Sequence, residues 1–280
     1  MSSRQQAVAA QNEQIADRGE YRSPGGAVVR IAEELAEARA GTVSYPADAE
    51  FGPGPGPLAA GAVVEVTGEG SMQAARRLVE DGGRGVAVLN FASARNPGGG
   101  YLRGAKAQEE DVCRTALLYR CLLEAPDYYE AHRASTDLRY SHRVIWSPGV
   151  PVIRDGRGDL LERTHRVGFL TSPAPNAGQL ALRSPGRPLD LAPLLAERAG
   201  RVLAVAAAHG ARELVLGAWG CGVFRNDPAE VADAFGHALD AWGAAFDRVV
   251  FAVWDRNSPS VNRAAFERRF DQRFDQRSGG

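Results

Sequence analysis

The chain has 280 residues, with 33 basic and 34 acidic side chains and a formal net charge of −1. That balance excludes a broad basic surface for nucleic acid, and 44% hydrophobic with 24% charged residues is the make-up of a globular domain rather than a disordered or fibrous chain. Three cysteines without a CxxC pair and five histidines without HxxxH spacing give neither a disulfide framework nor a zinc-hydrolase pattern.

Residues 1–14 are polar and lack the apolar core of a secretory leader, and no run approaches the length of a membrane span. The sequence therefore reads as a reduced, cytoplasmic protein with no membrane partner. In chain order, Ile31, Leu35 and Ala38 at helical spacing predict one helix over 27–40. Pro46 and the FGPGPGP run at 51–57 then forbid regular structure. Residues 1–57 are read as a helical N-terminal extension packed on a main domain, 58–280. AVVEVT (62–67) predicts a strand, and Ser71 is placed to cap a helix through Glu80. GVAVLNFAS (85–93) predicts a buried strand that runs into a glycine-rich loop, with one helix over 107–123 beyond it. Further strands are predicted at 143–146, 167–171, 213–216 and 248–253, and helices at 191–209 and 228–242. Residues 147–165 read as a surface loop or short hairpin, and the doubled FDQR at 270–277 as an amphipathic helix end. Short apolar strands between helices predict an α/β sandwich with its sheet covered on both faces.

The chemistry concentrates in LNFASARNPGGGYLRGAKAQEEDVCRTALLY (89–119). It begins at the carboxyl end of a buried strand, where open α/β sheets bind ligands. Gly98, Gly99 and Gly100 follow Asn96 and Pro97. A turn needs at most two glycines for its dihedrals, so a third implies that something comes close to the backbone. Amides in such a loop, beside a helix N-terminus near Ala107, suit a phosphate or diphosphate; a plain flexible loop is the other reading. Basic residues are almost all arginine, Lys106 being the only lysine, and no Walker lysine or GxGxxG is present. Gln108, Glu109 and Glu110 open the next helix, where acidic side chains oppose the helix dipole in the ordinary way. Neighbours on a helix point about 100° apart, so two such carboxylates take different jobs: one holds a ligand hydroxyl, the other reaches the reacting bond.

GGG, seven residues and then QEE resembles the signature of the poly(ADP-ribose) glycohydrolases, and the surrounding block resembles their compact bacterial-type branch. The similarity continues through RVIWSPGVPVIRD (143–155), RVLAVAAAHGARELVLGAWGCGVFRNDP (201–228) and RVVFAVWD (248–255). The resemblance implies a macrodomain-like fold, a three-layer α/β/α sandwich with a mixed sheet. It also implies hydrolysis of the ribose–ribose O-glycosidic bonds of poly(ADP-ribose), releasing ADP-ribose in exo fashion. By position, Glu110 matches the family's catalytic glutamate and Glu109 the neighbour that holds the ribose. Asn96 matches an asparagine on the terminal ribose, Gly98 to Gly100 the diphosphate side, and Gln108 completes the substrate contacts. The implied partners are poly(ADP-ribose), ADP-ribose and ADP-ribosylated proteins, with no direct nucleic acid, no metal and no cofactor, and the chain acts as a monomer. A non-catalytic ADP-ribose reader of the same fold is the competing reading; it needs the glycine cradle but not the QEE turn.

A second loop, GAWGCGVFRND (217–227), also follows an apolar strand and precedes a helix. Gly220 and Gly222 have amides to offer a second phosphate, and the family comparison places Val223 and Phe224 against the ADP portion. Phe224 packing under its own loop is the plainer alternative. Cys221 has no histidine near it in sequence and is not read as a nucleophile. His209 closes a helix, where a partly charged ring suits the carbonyl end. Glu65 or Glu69 is a candidate for adenine. The four tryptophans read as core, with Trp219 the one worth testing as a ligand platform.

Overall fold

The computed structural model describes residues 3–256 and 258–277, with side chains followed to Asp271. The chain opens with α1 (Ser3–Arg18), β1 (Glu20–Arg22), β2 (Val28–Arg30), α2 (Ala32–Ala40) and β3 (Val43–Tyr45). Next come β4 (Val63–Thr67), α3 (Ser71–Glu80), β5 (Val86–Phe91), α4 (Gln108–Thr115), α5 (Leu118–Leu122) and α6 (Pro126–Arg133). A long hairpin, β6 (Val144–Arg154) and β7 (Leu160–Ser172), leads to α7 (Ala177–Arg183) and α8 (Ala192–Ala208). The chain ends with β8 (Glu213–Leu216), α9 (Pro228–Trp242), β9 (Arg248–Ala252) and α10 (Val261–Arg277). Seven strands form one mixed sheet in the order β3-β6-β7-β5-β8-β9-β4, and β1 and β2 form a separate two-stranded ribbon.

The chain divides into two compact units. The first comprises residues 1–46, 90–135 and 143–172. Its frame is the antiparallel β6–β7 hairpin, with β3 added antiparallel along β6. Of the two readings of 147–165, surface loop or short hairpin, the hairpin holds, and its strands are long. Register shifts between Ser147 and Val150 and between Val152 and Arg154 take up Pro148 and Gly149, which would otherwise break the ladder. The turn is closed by Asp155, whose Oδ1 accepts from the Arg157 and Asp159 amides. The single helix expected over 107–123 is instead two. Ala116 bridges Val152 and the Leu117 amide donates to Pro151 O at 3.0 Å, so backbone pairing with β6 interrupts the helical ladder. The N-terminal stretch holds two helices and three short strands where one helix was expected.

The second unit comprises residues 47–89, 136–142 and 173–280. Here β8 pairs in parallel with β5 and β9, and β9 with β4. Parallel strands buried on both faces read as continuous apolar runs, which is why VAVLNF and ELVL were legible. The Phe251 ring of β9 stacks on Phe270 of α10 at 4.2 Å while Asp271 is exposed, and the side chains of Gln272 and Arg273 lie outside the described residues. The side chains of the second FDQR lie outside the described residues. Helix α3 spans the expected residues, but its cap is Gly70, whose amide donates to Gln73 Oε1 at 3.0 Å, rather than Ser71.

Candidate active site

The first unit gathers the QEE turn, the glycine loop and the end of β5. The Phe91 amide donates to Gln108 Oε1 at 2.8 Å, tying the start of α4 to the end of β5. Gly98 and Gly99 adopt φ of +63° and +58°, the left-handed region closed to most side chains. A Cβ on Gly99 would lie 2.5 Å from Glu110 Oε1 and 2.9 Å from Glu109 Oε2. The close approach anticipated for the triplet is thus made within the protein, by the two carboxylates at Gly99 and by Ala105 at Gly100. The Gly100 amide donates to Glu110 Oε1 at 2.7 Å. Asn96 is exposed at the loop tip, and Lys106 is exposed just before α4.

The two glutamates are buried, at 3% and 7% exposure, yet their environments differ. Glu109 is engaged at both oxygens: Oε2 accepts from the Ser93 amide at 2.7 Å and Oε1 from Asn90 Nδ2 at 3.2 Å. Glu110 is anchored at Oε1 alone, and its Oε2 is buried without a hydrogen-bond partner. These partners are uncharged amides, so no cation offsets the loss of hydration. Burial pushes the Glu109 carboxyl from its ordinary 4.5 up to about 8; the Ser93 amide and Asn90 pull it down, and the Glu110 charge pushes it further up.

Sequence reasoning missed several residues that hold this arrangement. Asn12 of α1 is fully buried and donates through Nδ2 to the carbonyls of Arg114 (2.8 Å) and Cys113 (3.4 Å) at the end of α4. Its Oδ1 accepts from Arg154 Nε at 2.7 Å. The Tyr101 hydroxyl, just after the glycines, lies 3.2 Å from Glu13 Oε1 and 3.3 Å from Ala9 O. The Asn12 links span about a hundred residues of chain, and nothing local marks them. Asn90 carried a signal, being the lone polar side chain in the VAVLNF run.

In the second unit, the 217–227 loop exposes Val223 at 83% and leaves Phe224 half-buried, its ring 6.2 Å from Tyr140. The Gly178 amide holds the Phe224 carbonyl at 2.9 Å, and Arg225 has φ of +57°. A Cβ on Gly220 would meet Ala174 Cβ and Asn226 Nδ2, whereas Gly222 is open. Trp219 is 1% exposed and packs on Phe235, so it is core and no platform. Trp254 reverses its expectation: it is 59% exposed, with the Arg256 guanidinium 5.8 Å from its ring. Burial pushes the Cys221 thiol up to about 12, which leaves it inert at neutral pH. His209 is exposed at the end of α8, and partial desolvation lowers its ring rather than raising it. Glu65 and Glu69 both pair with Arg77, at 3.1 and 3.0 Å. Among the described residues no three His, Cys, Asp or Glu side chains converge as a metal site, and no helix is long and apolar enough to cross a membrane.

A mixed α/β sheet brings a buried glutamate pair against a glycine loop at the end of a buried strand, the arrangement of an enzyme rather than of a plain scaffold. The profile of the microbial-type poly(ADP-ribose) glycohydrolase (PARG) catalytic domain matches residues 9–155. The crystal structure of PARG from Thermomonospora curvata is 45% identical, covers 96% of this chain and 100% of its own, and superposes with a TM-score of 0.87. The same enzyme bound to the inhibitor ADP-HPD gives 0.85 over the same coverage at 45% identity. PARG from Deinococcus radiodurans in complex with ADP-ribose is 43% identical, covering 87% of this chain and 99% of its own, with a TM-score of 0.76. No curated protein sequence matched the chain. The chain belongs to the microbial-type PARG family, and its fold is macrodomain-like.

Proposed function

We propose that this protein is a poly(ADP-ribose) glycohydrolase in which Glu110 serves as general acid and then as general base. One observation carries the assignment: Glu110 Oε2 is buried and unpartnered while Oε1 is held by Gly100, which leaves one carboxyl oxygen for a substrate atom. The leaving group of a ribose–ribose bond is a sugar alkoxide, so the acid must deliver a proton to the bridging oxygen as the C1–O bond breaks. The ribosyl ring then carries oxocarbenium character, which the newly ionised Glu110 stabilises. In the second step Glu110 takes a proton from the water that attacks C1, and the starting protonation state returns. Glu109, engaged at both oxygens, is the proposed ribose holder.

Asn96, Gln108 and the amides of Gly98, Gly99 and Gly100 are proposed to complete the ribose and diphosphate contacts. Gly220, Gly222, Val223 and Phe224 are proposed to contact the ADP portion. The proposal extends to exo cleavage by a cytoplasmic monomer that acts on the polymer and on ADP-ribosylated proteins. The experiment is ADP-ribose release from purified poly(ADP-ribose), wild type beside Glu110→Gln, with ADP-ribose binding measured on both. Release by wild type alone, at least about a hundredfold above the variant, with binding kept in both, is the expected result. Binding by both with release by neither makes the protein a reader. Abundant internal fragments early in the digest overturn the exo mode.

A further inference from the structure

Asn90 is fully buried at the end of β5, in a position where its neighbours Val86 to Leu89 are all apolar. Its Nδ2 lies 3.2 Å from Glu109 Oε1 and 3.2 Å from Thr171 Oγ1 of β7, while its Oδ1 is buried without a partner. A leucine of similar volume would avoid an unsatisfied buried oxygen and suit the strand better. The donor end of the amide is therefore what the position uses. Resting on the glycohydrolase reading above, we propose that Asn90 is a positioning residue for the reaction. It holds Glu109 in one orientation beside Glu110 and draws the Glu109 carboxyl toward its ionised form.

Glu109 and Glu110 both lie against Gly99, and the Glu110 charge adds to burial in pushing the Glu109 carboxyl up. The Asn90 donor aimed at Glu109 Oε1 pulls it back down. The groups facing Glu109 are the Ser93 and Gly98 amides from the loop, Asn90 from β5, Glu110 and Cys113 of its own helix, and Tyr129 from α6. Among them, only Asn90 is a side-chain amide. Removing it raises the Glu109 carboxyl further and leaves Oε1 without its side-chain donor.

The test is Asn90→Asp, which keeps the shape and exchanges the donor for a carboxyl, with Thr171→Val as a second variant that adds no charge and removes the amide's other partner. ADP-ribose release, ADP-ribose binding and thermal melting are measured across pH. The expected result for Asn90→Asp is a fall in kcat of roughly 10- to 100-fold, the range seen when the outer partner of a working group is lost. ADP-ribose affinity stays within about threefold, and the alkaline limb of the profile moves to higher pH. Thr171→Val shifts the limb the same way with a smaller loss, and carries the test if Asn90→Asp does not fold. Wild-type kcat and an unmoved limb in the folded variants overturn the proposal, as does binding lost in step with kcat. A wild type that releases no ADP-ribose overturns the glycohydrolase reading instead. The Asn90 assignment is then decided by carboxyl ¹³C titration, with Glu109→Gln to assign the signal: an upward midpoint in Asn90→Asp supports it, and an unchanged one overturns it.

Discussion

Glu109 and Glu110 are adjacent in sequence, but one is hydrogen-bonded at both oxygens and the other at only one, and the roles proposed for them rest on that asymmetry. The charge state of Glu109 also leaves a mark on stability. Its carboxyl titrates near 8 in the folded chain and near its ordinary 4.5 when unfolded. Between those values the folded state binds the extra proton, so stability falls as pH rises from about 4.5 to 8 and levels off above. Glu109→Gln removes the titration. Its melting temperature relative to wild type is expected to rise across that window and to hold steady above it, and scanning calorimetry at pH 5 and 8.5 reads the difference. An equal offset at both pH values would remove burial as the cause. At this scale the sequence was most legible in the QEE turn and the glycine triplet, whose spacing carries the family resemblance. The unpartnered oxygen was not legible, because it depends on how the loop closes over the helix.

Helix α4 is eight residues long and is held at both ends by contacts far away in sequence. Gln108 ties its start to β5, and Asn12 caps the carbonyls at its end. Asn12→Ala would strand two carbonyls and a buried face of Arg154, and is expected to destabilise the protein by about 2–4 kcal/mol. Chemical denaturation measures this directly; a change under about 0.5 kcal/mol would mean that water replaces the cap without cost. Elements with their own periodicity were readable, as α3, α9 and β8 are. What escaped were elements set by distant partners: α1 shows only Ala9, Asn12 and Ile15 buried, and α4 stops where its backbone meets β6. The hairpin at 144–172 was legible only as a loop or short hairpin, because Pro148 and Gly149 read as breakers until the register shift absorbs them.

Six of the seven strands in the large sheet were visible as apolar runs; β3, three residues long, is too short to show alternation and is defined by pairing with β6. Each compact unit is assembled from three separate stretches of chain. Residues 1–46 share a unit with the QEE turn, and the family match itself begins at residue 9. A fragment of 58–280 is therefore expected to lose both ADP-ribose release and a sharp melting transition. If it melts and works like the full chain, residues 1–57 are a dispensable extension.

Lys106 is exposed two residues before Gln108, and it is the only lysine in the chain. An amine-directed fluorophore would meet that side chain and the α-amino group alone, two amines whose ordinary basicities differ by more than about two pH units. An almost all-arginine chain thus reduces site-directed labelling beside the glutamates to telling those two apart.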